Sequence, residues 1–156
     1  MSKQKQKIDN SHKRKMEKLK KNIDASINAA NRQKGIGILL TGNGKGKSTS
    51  AFGMVIRSLG YNHKVGIVQF IKGQQLSGEE IYIRDKCPSV TFHQMSTGFT
   101  WETQDRSIDI AAAEKSWSKA EKMLKDDNYD LIVLDELTYM LSFKYLDEDK
   151  VIHALK

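Results

Sequence analysis

The sequence predicts an α/β fold, a mostly parallel sheet with helices on both faces, and three observations carry that expectation. Short runs rich in Val, Ile and Leu, at Ile36–Leu40, Val65–Phe70 and Leu131–Leu134, with a shorter mixed run at Val90–Gln94, alternate with longer stretches of helical character. A glycine-rich turn, Gly42-Asn43-Gly44-Lys45-Gly46-Lys47-Ser48-Thr49, lies where the first run ends and a helix begins. The run at 131–134 is followed directly by two acids, Asp135 and Glu136.

Residues 1 to about 12 are polar and are expected to be disordered. Met16, Leu19, Ile23, Ile27 and Ala30 then recur at steps of three and four, which makes one apolar face of a helix, with Lys18, Lys20, Lys21, Asp24 and Asn28 opposite. This helix can pack on its own domain or on a second subunit. From Gly35 the expected order is strand 36–40, the turn, helix Lys47–Leu59 with Gly60 as its stop, and strand 65–70. A short strand 90–94 follows, then a helix from about Asp105 to Lys125 carrying Ile108, Ala112, Trp117, Ala120 and Leu124. Strand 131–134 and a short helical stretch, Glu148–Leu155, complete the series. Residues 1–34 thus form a basic arm and helix, and 35–156 an α/β domain. Three or four strands make a small sheet, so we expect either a partner over its open edge or a domain truncated at its C-terminus.

The 156 residues suit one domain with a core of its own. Net charge is +7, yet residues 1–34 hold 11 Lys/Arg against 3 Asp/Glu, so they carry +8 and the remainder −1. A basic segment on a near-neutral body points to an arm or a solvated helix face, and nucleic-acid binding is not favoured. The single cysteine, Cys87, excludes an internal disulfide and suits a reducing cytosol. No apolar run approaches the roughly 20 residues that span a bilayer. A cytoplasmic, membrane-free protein is expected.

The turn at 42–49 has the chemistry of a phosphate-binding loop. Glycines let backbone N–H groups converge on phosphate oxygens, and the helix that follows presents its positive end to the same anion. Lys47 would reach the phosphates and Ser48 a Mg²⁺ ion. The usual pattern G-x-x-x-x-G-K-[ST] asks for glycine at the position held here by Thr41, so the loop is one residue short. With it, the α/β expectation sharpens to a P-loop, RecA-like architecture binding a nucleoside triphosphate.

An apolar strand ending in acids places a carboxylate beside the metal in phosphate-loop proteins, which makes Asp135 and Glu136 metal candidates together with Ser48. Either acid could instead cap the helix from Leu137. Lys72, just past strand 65–70, could meet an anionic ligand or simply be solvated. Phe99 and Trp101 stand two apart in a glycine-containing segment; they could wall a flat ligand, but residue type alone favours packing in the core.

Four stretches together resemble the ATP:corrinoid adenosyltransferases whose loop reads G-N-G-K-G-K-[ST]-T. They are 42–49, Val65 to Gly73, Thr97 to Gln104 and Leu134 to Leu141, and the resemblance runs from about Ser11 to Lys156. It implies transfer of the 5′-deoxyadenosyl group of ATP to a corrinoid reduced to Co(I), with triphosphate leaving and no general base. It implies that Gly42, Asn43, Gly44, Lys45, Gly46, Lys47, Ser48 and Thr49 hold the triphosphate, that Ser48 and Glu136 serve Mg²⁺, and that Arg57 lies near the nucleotide. It makes Phe99 and Trp101 the corrinoid wall that displaces the lower axial ligand, against the core reading given above. It further implies a homodimer in which the N-terminal helix closes over the partner's site, and an electron-donating reductase such as a flavoprotein. The family continues past the counterpart of Lys156 with a helix–strand portion ending in a Thr-Gly-Arg turn. Two other readings stay open at this stage: a P-loop ATPase or kinase with a nucleic-acid-binding arm, and a truncated ATP- or corrinoid-binding protein without turnover.

Overall fold

The computed structural model describes residues 3–31, 34–71, 76–95 and 105–156. The chain divides into two compact units, Met1–Ile38 and Leu39–Lys156. No helix among the described residues is long and apolar enough to cross a membrane.

The first unit is dominated by helix α1, Lys3–Ala29. At 1.5 Å per residue its 27 residues extend about 40 Å. The expected disordered start is therefore helical from Lys3, consistent with the good helix propensity of the Lys and Gln residues that open it. Met16, Leu19, Ile23 and Ile27 are exposed along its length.

In the second unit, strands β1 (Val65–Gln69), β2 (Thr91–Gln94) and β3 (Leu131–Asp135) form an all-parallel sheet in the order β2-β1-β3. Gln69 is in register with Gln94 on one side and Asp135 on the other, so the carboxyl ends of all three strands share one edge. Helices α2 (Lys47–Gly60), α3 (Gly78–Lys86), α4 (Arg106–Leu124), α5 (Leu137–Ser142) and α6 (Glu148–Leu155) surround the sheet.

Strand alternation divides the core in two. Val65, Ile67 and Val133 pack with Phe52 and Val55 of α2 and Ile83 of α3. Val68 points the other way, into a cluster with Trp117, Ala120 and Met123 of α4, Met140 of α5 and Val151 of α6. The central strand β1 is buried at every position, as expected of a parallel strand covered on both faces. Gly66 lets α4 come close: a Cβ there would lie 2.8 Å from Met123 Sδ.

Three expectations need correction. Residues 36–40 form no strand; Ile36, Ile38, Leu39 and Leu40 are exposed. An apolar run becomes a strand only when a neighbour completes its ladder, and none pairs with it among the described residues. Helix α3 was not anticipated, although Ser77 and Glu80 form a capping box at its start that marks it in the sequence. In α4, Ile108 faces solvent, and the inward positions are Asp109, Ala113, Ser116, Trp117, Ala120 and Met123. The N-cap of α4 is Asp105, whose carboxylate accepts from the Ser107 hydroxyl and N–H; those bonds hold its pKa below the ordinary carboxylate range.

Candidate functional site

The turn at 42–46 is bounded by two glycines with positive φ, Gly42 at 121° and Gly46 at 103°. Side-chain-bearing residues rarely adopt such values, so both positions need glycine for the chain to turn tightly into α2. Gly46 is the N-cap of α2 and offers no side-chain cap, and no acid stands in the first turn. The cap residue thus supplies no side-chain acceptor for the N–H groups that open α2, and the positive end of the helix favours an anion there.

Lys47 folds back over the loop. Its ammonium donates to the carbonyls of Gly42 and Gly44, each at 2.7 Å. These two bonds let the lysine brace the loop at its exposed surface.

The next residues tie the loop to the sheet edge. Ser48 Oγ donates to Asp135 Oδ1 at 3.0 Å, bringing the start of α2 to the end of β3. Thr49 Oγ1 donates to Glu79 Oε1 at 2.9 Å, joining the same turn to the start of α3. Gln69 Nε2 donates to Asp135 Oδ2 at 3.0 Å. Both oxygens of Asp135 are therefore engaged, and it does not cap α5. The N-cap of α5 is Glu136, in the left-handed region at φ 60°, ψ 22°, with no side-chain cap bond. A non-glycine residue held in that region carries local strain of about 1–3 kcal/mol. The strained turn redirects the chain immediately after Asp135.

Ser48 Oγ and Asp135 Oδ1 are hard oxygen donors already side by side, which fits Mg²⁺ chemistry. No group of three or more His, Cys, Asp or Glu among the described residues is placed to hold a metal alone. That combination suits an ion that takes one or two protein ligands and completes its shell with phosphate oxygens and water.

The structure therefore places Asp135 beside the turn that carries Gly42, Asn43, Gly44, Lys45, Gly46, Lys47, Ser48 and Thr49, with Glu136 the next residue along the chain. Arg57 lies apart from them, exposed in the last turn of α2 and ten residues beyond Lys47, about 15 Å along the helix. Lys72, Phe99 and Trp101 lie outside the described residues. Two contributors escaped the sequence reading of the site: Glu79, which holds Thr49, and Gln69, which holds Asp135. A polar residue closing the otherwise apolar strand Val65–Gln69 was the available signal for the second.

A parallel sheet with a glycine-bounded turn opening a helix at its carboxyl edge defines a P-loop-like α/β protein. Within that class the chain belongs to the ATP:corrinoid adenosyltransferase family: the family model described as "ATP:corrinoid adenosyltransferase BtuR/CobO/CobP" matches residues 33–156. It is 49% identical over 144 residues to the corrinoid adenosyltransferase of Pseudomonas aeruginosa, covering 92% of this chain and 71% of that protein. It is 44% identical over 147 residues to the corrinoid adenosyltransferase of Escherichia coli K12, covering 94% and 74%. It is 45% identical over 147 residues to the corrinoid adenosyltransferase CobA of Salmonella typhimurium, with the same shares covered. The resemblance drawn from the four sequence stretches is thus borne out, and the chain is a transferase of this family.

Proposed function

We propose that this chain moves the 5′-deoxyadenosyl group of ATP to the cobalt of a reduced corrinoid, in cobalamin synthesis or salvage. The observation that carries the reading is the family match over 33–156, a span that contains the glycine turn, Ser48 and Asp135 in the contact described above. In the reaction, Co(I) of the corrinoid substrate supplies an electron pair to C5′ of ATP. The Co–C5′ bond forms, the C5′–O5′ bond breaks, and its pair leaves on the triphosphate. No proton moves in this step, so no general base is required.

The work of the protein is to hold the leaving group and the reacting carbon. The N–H groups opening α2 and the turn from Gly42 to Ser48 bind the triphosphate. Lys47 exchanges the Gly42 and Gly44 carbonyls for phosphate oxygens and so faces the charge that develops as the C5′–O5′ bond breaks. Ser48, Asp135 and Glu136 would hold Mg²⁺, which neutralises phosphate charge when bound. Lys45, Thr49 and Lys72 are further nucleotide contacts in this reading, and Arg57, farther along α2, lies near the nucleotide away from its phosphate end. Phe99 and Trp101 wall the corrinoid and displace its lower axial ligand, which eases reduction of the cobalt. The reading also includes a homodimer, supported by the exposed apolar residues along α1, an electron-donating reductase such as a flavoprotein, and a cytoplasmic setting.

The test is to incubate the protein with Mg-ATP and chemically reduced cobalamin, follow the corrinoid spectrum and assay the phosphate products. Adenosylcobalamin formed together with triphosphate is the expected result. ADP or orthophosphate with no change in the corrinoid would refute the reading in favour of an ATPase or kinase.

A further inference from the structure

The carboxyl edge of the sheet carries a transverse polar row on the face covered by α2 and α3. Gln94, Gln69 and Asp135 are register partners across β2, β1 and β3, so their side chains share that face. Arg84 of α3 donates to Gln94 Oε1 at one end of the row, and Ser48 of α2 donates to Asp135 Oδ1 at the other. Gln69, in the middle, is 0% exposed. Its backbone is clamped on both sides: its carbonyl accepts from Met95 N at 2.8 Å, and the N–H of the next residue, Phe70, donates to the Asp135 carbonyl at 3.0 Å.

A carboxylate only accepts, so the carboxamide of Gln69 must turn its N–H toward Asp135 Oδ2, which it meets at 3.0 Å. The same orientation leaves Gln69 Oε1 buried with no hydrogen-bond partner among the described residues. A leucine or methionine would fill the end of a fully buried strand without such an orphan. The polar side chain therefore does something that burial alone does not require.

We propose that Gln69 is a positioning residue for the metal–nucleotide site: its carboxamide fixes Asp135 by Oδ2 so that Oδ1 faces the Ser48 hydroxyl. This deepens the function proposed above and rests on it. Without the amide, Asp135 keeps only the Ser48 bond to orient its carboxylate, and the two oxygen donors at the loop are held as a pair less firmly. The effect belongs to metal recruitment and not to the reacting carbon, so it is overcome by raising the metal concentration.

Gln69→Met preserves the volume and removes the donor. Free Mn²⁺ is measured by electron paramagnetic resonance while protein is titrated in the presence of ATP, with thermal melting in a chelator recorded in parallel. The expected result is an ATP-dependent Mn²⁺ affinity weakened roughly ten- to hundredfold, the range found when an outer-shell partner of a metal ligand is lost. The melting temperature in chelator is expected to hold, and turnover to return at saturating metal. Gln69→Asn, which keeps the amide but draws it back by one methylene, is expected to fall between the two and serves if the methionine variant does not fold. Unchanged Mn²⁺ affinity in a folded variant would overturn the proposal while leaving the nucleotide site intact. Failure of the unaltered chain to bind Mn²⁺ with ATP would remove the nucleotide reading itself, and this inference with it.

Discussion

Alanine at Gly46 and alanine at Gly53 are the same chemical change, seven residues apart in and just before one helix, and they are expected to act in opposite directions. Gly46 has φ 103° and ψ −4°, and an added Cβ would meet nothing within 4 Å. Crowding contributes nothing there, and the whole cost is the left-handed backbone, about 1–2 kcal/mol for an L-residue. Gly53 lies inside α2, where an added Cβ again meets nothing within 4 Å. Alanine is favoured over glycine in a helix interior by about 0.8–1 kcal/mol. At roughly 2–4 °C per kcal/mol for a chain of this size, Gly46→Ala should lower the melting temperature by about 2–8 °C and Gly53→Ala raise it by about 2–4 °C. Calorimetric titration with ATP separates the two further. Where the loop of the Gly46→Ala protein sheds part of that strain by leaving the phosphate-ready shape, ATP must restore it, so that part is lost from affinity instead of from melting, a factor of at most about 5–30. Gly53→Ala leaves affinity unchanged. Melting shifts of the same sign, or melting and ATP affinity both unaltered in Gly46→Ala, would refute the claim that the positive φ at the N-cap of α2 is what readies the loop.

Lys47→Ala should leave the melting temperature nearly unchanged, because among the described residues the ammonium donates to the Gly42 and Gly44 carbonyls at an exposed surface. ATP affinity, read by the same titration, should weaken by about 1.5–3 kcal/mol, the worth of a hydrogen bond to a charged group; unchanged affinity would take Lys47 out of phosphate binding. Gly66→Ala should cost about 1–3 kcal/mol in chemical denaturation, since the new methyl would lie 2.8 Å from Met123 Sδ and 3.0 Å from Tyr129 Cε1. A denaturation midpoint equal to that of the unaltered protein would show that α4 yields more easily than its packing implies. Burial, with help from Lys119 and Lys115, holds the His93 imidazole below its ordinary pKa of 6.5. The fold therefore favours the neutral ring, and the stability it contributes is present above pH 6.5 and lost as pH falls through the lowered value. His93→Gln should flatten the stability profile on the acid side of 6.5, and an identical profile would assign that pH dependence to other groups.

Most of the fold was legible where burial and period agree. Val65–Gln69 and Leu131–Asp135 are short, apolar and β-branched, and the glycine turn announced where α2 would start. The run at 36–40 shows the limit of that logic, because its composition is that of a strand but its partner is a tertiary matter. Helix α3 is short and weakly amphipathic, so its periodicity was faint, and its capping box was the better signal. In the site, Lys47, Ser48 and Asp135 could be named from motif chemistry. The Gln69 and Glu79 contacts could not, because they depend on which residues the register and the approach of α3 set opposite one another. Arg57 illustrates the reverse case, a residue close to the motif in sequence that one helix carries about 15 Å away from it.

The braced lysine has a consequence for selectivity among anions. With Lys47 already satisfied by two carbonyls at 2.7 Å, an incoming anion must replace both contacts and also answer the N–H groups at the start of α2. Chloride, a single atom, cannot serve all of these donors together, whereas the four oxygens of orthophosphate can reach several of them. A triphosphate chain is multidentate and can engage the lysine and the helix end at once. The braced lysine thus favours anions of higher denticity over a monatomic one such as chloride.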